Sequence, residues 1–220
     1  MSLGPLSQRK IQQLAVRSIE EQVSRRRLRS YGSFGFSAEW IYATSYTCMA
    51  LVVFLRAVNV GGHNAFRPSV LAKELREYDV VNIGAAGTFV VRRAVSQEKF
   101  RRELLNRLAF PTHIMICEGR ALAGFAAEDP FAGEPSGPEI VRFVNVLSKP
   151  LRKLPPIPMK FPDEGEWVLR IMGCRGRFLF GLYKRQMNAI GFLSRVEKLV
   201  GIPATTRNWN TITAILKALQ

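Results

Sequence analysis

An α+β fold of two βαββαβ halves is what this chain predicts, and three observations carry the prediction. Residues 50–55 form a continuous apolar run with β-branched members, the pattern of a strand buried on both faces. From there to residue 117, strand-like runs and amphipathic stretches follow in the order β, α, β, β, α, β. After residue 140 the order returns, except that prolines occupy the place of its first helix. The sum is the split-βαβ or ferredoxin-like arrangement, an alpha-beta plait, twice over. The expected division is an extension over residues 1–48, a first half over 49–130 and a second half with a C-terminal helix over 131–220.

Taken in order, residues 56–65 are a glycine-containing loop after the first strand. Pro68 suits the first turn of a helix whose apolar side is Val70, Leu71, Leu75 and Tyr78. Residues 80–83 form the second strand. The turn Gly84-Ala85-Ala86-Gly87 leads into a third over 88–92. Ser96 can cap a helix striped by Phe100, Leu104, Leu105 and Leu108, and 113–117 is a strand again. A helix over 121–127 bridges the halves.

The second half opens with a strand over 140–147. Pro150, Pro155, Pro156, Pro158 and Pro162 then exclude a regular helix. Strands over 167–172 and 177–183 flank a turn at Gly173-Cys174-Arg175-Gly176. A helix over 186–200 stops at Gly201, a short extended stretch covers 204–207, and a closing helix over 211–219 carries Ile212, Ile215, Leu216 and Leu219.

Composition narrows the function classes. The three cysteines, Cys48, Cys117 and Cys174, show no CxxC or Cys/His ligand spacing, and only two histidines exist. No metal, cofactor or disulfide framework is expected, and the cysteine usage suits a reducing, cytoplasmic setting. No apolar run is long enough to span a membrane. The 32 Lys and Arg residues against 17 Asp and Glu give a net +15, a field that attracts nucleic acid, acidic lipids or phosphorylated metabolites.

Residues 7–29 read as an amphipathic helix with Ile11, Leu14, Ala15, Ile19 and Val23 on one face, followed by arginines and a glycine-aromatic stretch. Three readings stand: a nucleic-acid-binding arm, a solvated helix and tail, or a segment that is not translated. The last is the expectation, because Met49 opens the first strand.

Two stretches hold the candidate ligand residues. Arg56-Ala57-Val58-Asn59-Val60-Gly61-Gly62-His63-Asn64 follows a strand and precedes a helix. Its glycines allow close backbone approach to an anion, and Arg56 ends an apolar strand with a charge that needs a partner. A tight turn, with Asn59 bonding its own backbone, explains the same residues without a ligand. In Thr205-Thr206-Arg207-Asn208-Trp209-Asn210-Thr211, an asparagine can cap the last helix and Trp209 can close the core. Arg207 and Asn208 can instead offer a fork and an amide to a carboxylate or phosphate. Phe54 and Phe89 loosely echo the aromatic strands of RNA-recognition modules. The acidic pairs Glu128-Asp129 and Asp163-Glu164 read as solvated, so no catalytic set is identified.

The opening R-x-V-N-V-G-G and the closing T-x-R-N-W-N-T together resemble the bacterial family called domain of unknown function 1697, over roughly residues 49–220. Ala57 stands where that family usually carries glycine, and Ala86-Gly87-Thr88 where it tends to carry S-G-N. The resemblance implies a fold and no assigned activity. The expected function is anion binding, with nucleic acid on the basic surface first. The alternatives are an enzyme or binder of a small anionic metabolite in a cleft between the halves, using Arg56, Asn59, Gly61, Gly62, Arg207 and Asn208, or a scaffold for a partner protein.

Overall fold

The apolar run at the head of the first half becomes β1 (Leu51–Leu55), every residue of which is buried. The computed structural model describes residues 50–59, 66–153 and 156–220, so the expectations for residues 1–48 and for Gly61 and Gly62 lie outside the described residues. Helix α1 (Pro68–Glu74) starts at its proline, and a single 3₁₀ turn (Arg76–Tyr78) follows. Strands β2 (Val80–Asn82) and β3 (Thr88–Val91), helix α2 (Gln97–Leu105), strand β4 (Ile114–Glu118) and helix α3 (Gly119–Ala127) complete this half. Ser96 caps α2, its hydroxyl accepting from the Lys99 amide at 3.2 Å.

The second half runs β5 (Ile140–Leu147), β6 (Met159–Phe161), β7 (Leu169–Arg175), β8 (Phe178–Lys184), α4 (Ala189–Val200), β9 (Ala204–Asn208) and α5 (Trp209–Ala218). The architecture is mixed α and β with two antiparallel sheets, ordered β2-β3-β1-β4 and β6-β7-β8-β5-β9. Without β6, the second order matches the first strand for strand. Strand β6 was not expected. Prolines 158 and 162 flank it, and it lies at a sheet edge paired only with β7, where a residue without an N–H is tolerated. The turn between β7 and β8 is also tighter than expected, leaving only Gly176 and Arg177 between the strands.

Alternation along the strands builds three cores. Leu51, Val53 and Leu55 face α1, the 3₁₀ turn and α2 through Leu71, Tyr78, Phe100 and Leu104. Val52 and Phe54 face the other way, into a central core shared with α3, α5 and the Val144, Val146 and Phe180 face of the second sheet. The far face of that sheet, with Phe143, Leu169 and Leu179, packs on α4 through Val196. Val70, expected on the apolar side of α1, is exposed. Both sheets lie within one compact unit, Tyr42–Gln220. No helix among the described residues is long and apolar enough to cross a membrane.

Close backbone approach fixes one position in the second sheet. A Cβ on Gly181 of β8 would sit 1.9 Å from the Arg170 carbonyl oxygen of β7, beside the bulge between Ile171 and Gly173. Gly181→Ala is therefore expected to force the paired strands apart and cost about 3 kcal/mol. A urea titration checks this, and a loss under about 1 kcal/mol would contradict it.

Candidate functional site

The closing stretch reaches into the packed interior against the end of β1 and the β2–β3 turn. Arg207, on β9 of the second sheet, is only 7% exposed and reaches across to the first. Its Nε donates to Thr88 Oγ1 at 2.7 Å. Its Nη1 donates to Thr205 Oγ1 at 2.7 Å and to the Thr206 carbonyl at 2.9 Å. Its Nη2 donates to the carbonyls of Leu55 at 2.9 Å and Ala86 at 2.7 Å. A guanidinium has five N–H donors, so all are taken, each by a neutral oxygen. The Phe54 ring lies beneath it, 5.7 Å from centroid to guanidinium carbon. Burial without a carboxylate pushes its pKa down to about 10, which leaves it charged at neutral pH.

The surrounding backbone is shaped to this contact. Gly87 sits at φ +64, and a Cβ there would approach Val58 Cγ2 to 2.7 Å. The turn can thus close on β1 only with glycine at this position. Ala57 lies at φ +53, a conformation that strains alanine. Ala86 contributes its main-chain carbonyl to this contact, and Thr88 a side-chain oxygen. Asn59, at φ +55, donates to the Ala85 carbonyl at 2.9 Å and accepts from the Phe66 amide at 2.9 Å. It ties the loop to the β2–β3 turn.

Other arginines bridge in the same manner. Arg177, at the β7–β8 turn, donates to the Leu147 and Ser148 carbonyls and to Ile116 on the outer edge of β4. Arg101 donates to Ile114 on the same edge at 2.8 Å. These contacts occupy carbonyls that an edge strand otherwise leaves open. Arg92 donates to the Ala218 carbonyl at the C-terminal end of α5, where the helix dipole favours a cation. Desolvation holds the Arg177 pKa below the ordinary arginine value, and the same burial pushes the Cys117 thiol up to about 12. That thiol is therefore inert as a nucleophile at neutral pH.

The remaining candidates divide between two clefts at opposite ends of β9. Arg56 lines a cleft of about 460 Å³ with Ser194, Glu197, Lys198 and Pro203. Its Nη2 is 2.8 Å from Glu197 Oε1, both side chains being about one-third exposed, at 35% and 30%. At that exposure such a pair contributes about 0–1 kcal/mol. This cleft adjoins the C-terminal turn of α4, where Gly201 takes the left-handed cap. Asn208 lines the other cleft, of about 210 Å³, with Ser136, Arg142, Arg185, Trp209 and Asn210. This one opens at the N-terminus of α5. Asn208 caps that helix, its Oδ1 accepting from the Thr211 amide and hydroxyl, each at 2.8 Å. Arg142 donates through Nη2 to the Glu134 carbonyl at 3.1 Å, while its buried Nε has no partner. Neither Arg142 nor Arg185 has a carboxylate partner among the described residues.

Arg142 and Arg185 were not singled out from sequence. Arg142 carries the one signal that could have found it, a charge inside the apolar run Ile140-Val141-Arg142-Phe143-Val144. The aromatic-strand echo fails: Phe54 and Phe89 are 0% and 1% exposed, so neither offers a face to a base.

A family model described as "Protein of unknown function (DUF1697)" matches residues 49–154. Residues 49–154, just under half of the chain, are thus similar to this family. The match covers the stretch at 56–64 and the Ala86-Gly87-Thr88 turn, whereas the stretch at 205–211 lies beyond it. No curated protein and no solved structure matches the chain.

Arg207→Ala is expected to cost about 3–5 kcal/mol, because hydrogen bonds to a charged group contribute about 1.5–3 kcal/mol each and their carbonyl acceptors would be stranded in the core. Chemical denaturation reads this loss. Stability within about 1 kcal/mol of the parent would contradict the bridge.

Proposed function

We propose that this protein binds a small anionic ligand in the cleft at the β9–α5 junction. The observation that carries the reading is the convergence of Arg142 and Arg185, without carboxylate partners, on a cleft that also opens at a helix N-terminus. The Arg56 cleft is a poorer fit for an anion. It holds Glu197, and it lies at the negative end of α4, where Lys198 and Arg56 have a stabilising role without any ligand. The reading keeps Asn208 among the ligand contacts and gives Arg56, Asn59 and Arg207 to the scaffold. It also treats each sheet with its helices as a ferredoxin-like half, divided near residue 130, with the ligand held mainly by the second.

Nucleic acid on the basic surface ranks second. Much of the charge surplus is turned inward: Arg92, Arg101, Arg177 and Arg207 bond backbone carbonyls, and Arg56, Arg107 and Arg170 face carboxylates. The exposed Lys149, Arg152 and Lys153 are what remain most suited to a phosphate backbone. A scaffold role has no observation of its own.

Thermal denaturation with a panel of phosphate, sulfate, acetate and citrate tests the proposal, since a ligand of the native state raises the melting temperature by mass action. At least one anion is expected to stabilise the parent chain, and Arg185→Gln, at an exposed position, is expected to lose that response while melting normally without anion. A response equal in parent and variant would reject this cleft. Tight binding of single-stranded DNA with a steep salt dependence, and no small-anion response, would favour the nucleic-acid reading.

A further inference from the structure

We infer that the anion this cleft selects is a dianionic phosphate monoester on a small carbon skeleton, not a carboxylate. The inference rests on reading the β9–α5 cleft as the binding site, and it starts from a count of donors. Arg142 offers Nη1, since its hydrogen bond to the Glu134 carbonyl is made through Nη2, while its unpaired Nε is sealed from solvent. Arg185 makes no side-chain bond among the described residues, so its whole fork is available. The Asn208 cap uses only Oδ1, which leaves Nδ2 to donate. Ser136 and Asn210 line the same space with no side-chain partner among the described residues, and the Asn210 amide lies in the first turn of α5, where no intrahelical acceptor exists. No acidic side chain among the described residues lines the cleft.

Such a wall fits an acceptor-rich ligand. A carboxylate presents two oxygens in a plane with one negative charge. A phosphate monoester presents three non-bridging oxygens in a tetrahedron and carries about −1.5 to −2 at neutral pH. Two guanidinium forks meeting a helix N-terminus match the second in number, charge and spread. A carboxylate has fewer oxygens than these donors can serve, and donors left without an acceptor are unfavourable.

Size narrows the class further. At about 210 Å³ the cleft is smaller than the ~300 Å³ at which pockets for drug-sized ligands begin. It has room for one phosphoryl group and a short skeleton against Ile140, Val141 and Trp209, and a nucleotide would protrude. The cleft at the other end of β9 serves as an internal contrast, because Glu197 and the α4 C-terminus oppose a dianion there.

Isothermal titration of the full chain with inorganic phosphate, glycerol phosphate and acetate at one ionic strength tests the inference. The phosphates are expected to bind at least tenfold more tightly than acetate. Arg142→Lys is expected to weaken phosphate binding at least tenfold, since an ammonium cannot reproduce the fork, and Arg185→Gln is expected to do the same. Arg56→Gln, in the opposite cleft, is expected to bind as the parent does. If acetate binds as tightly as phosphate and Arg185→Gln abolishes both, the phosphate assignment fails and the anion site stands. If none of the three binds, both fail. Phosphate binding that survives both arginine substitutions would place the ligand elsewhere and overturn the inference.

Discussion

A buried guanidinium without a counter-ion is the constraint on which the rest of this structure depends. Arg207 joins β9 to the end of β1, to the β2–β3 turn and to Thr88, using every N–H it has on neutral oxygens. Burying a charge in this way is costly unless each donor finds its acceptor, so the neighbouring backbone has little freedom. Gly87 must let the turn approach, and Asn59 and Ala57 hold left-handed conformations in the adjoining loop. Lysine could not substitute: its ammonium lacks the planar fork that reaches three segments at once.

The same chemistry recurs at lower cost around the unit. Arg92, Arg101 and Arg177 each end on main-chain carbonyls at a helix terminus or a sheet edge. These are places where carbonyls lack a secondary-structure partner. The high arginine content is thus partly architectural. A net charge of +15 overstates the positive surface offered to a partner, which shifts attention from the total to where the remaining arginines lie. Arg142 and Arg185, neither of which faces a carboxylate among the described residues, share one cleft.

The order of strands and helices was legible because periodicity is local. The continuous apolar run of β1, the Ser96 cap, Pro68 at a helix start and Gly201 at a helix end each state their element within a few residues. Strand β6 was not legible, since prolines on both flanks mask a three-residue edge strand that only its pairing with β7 defines. The candidate site was legible in part. Arg56 was marked by charge at the end of an apolar strand, Arg207 by a fork at the end of a short extended stretch, and Asn208 by capping chemistry. Whether an arginine faces a ligand or a neighbouring carbonyl depends on contacts more than 100 residues apart, such as Arg207 with Leu55, and no local pattern encodes them. Arg142 and Arg185 went unnoticed for the same reason, being 43 residues apart in sequence and brought together where β5, β8 and α5 meet.

The claim that one guanidinium couples the two sheets is tested most directly by a double-mutant cycle between Arg207 and Thr88, whose side chains meet across them. Arg207→Met, Thr88→Val and the double variant would be compared with the parent by urea denaturation. The account predicts a coupling energy of about 1–3 kcal/mol, as for buried partners in one hydrogen-bond network. Additive losses, with coupling below about 0.5 kcal/mol, would contradict it.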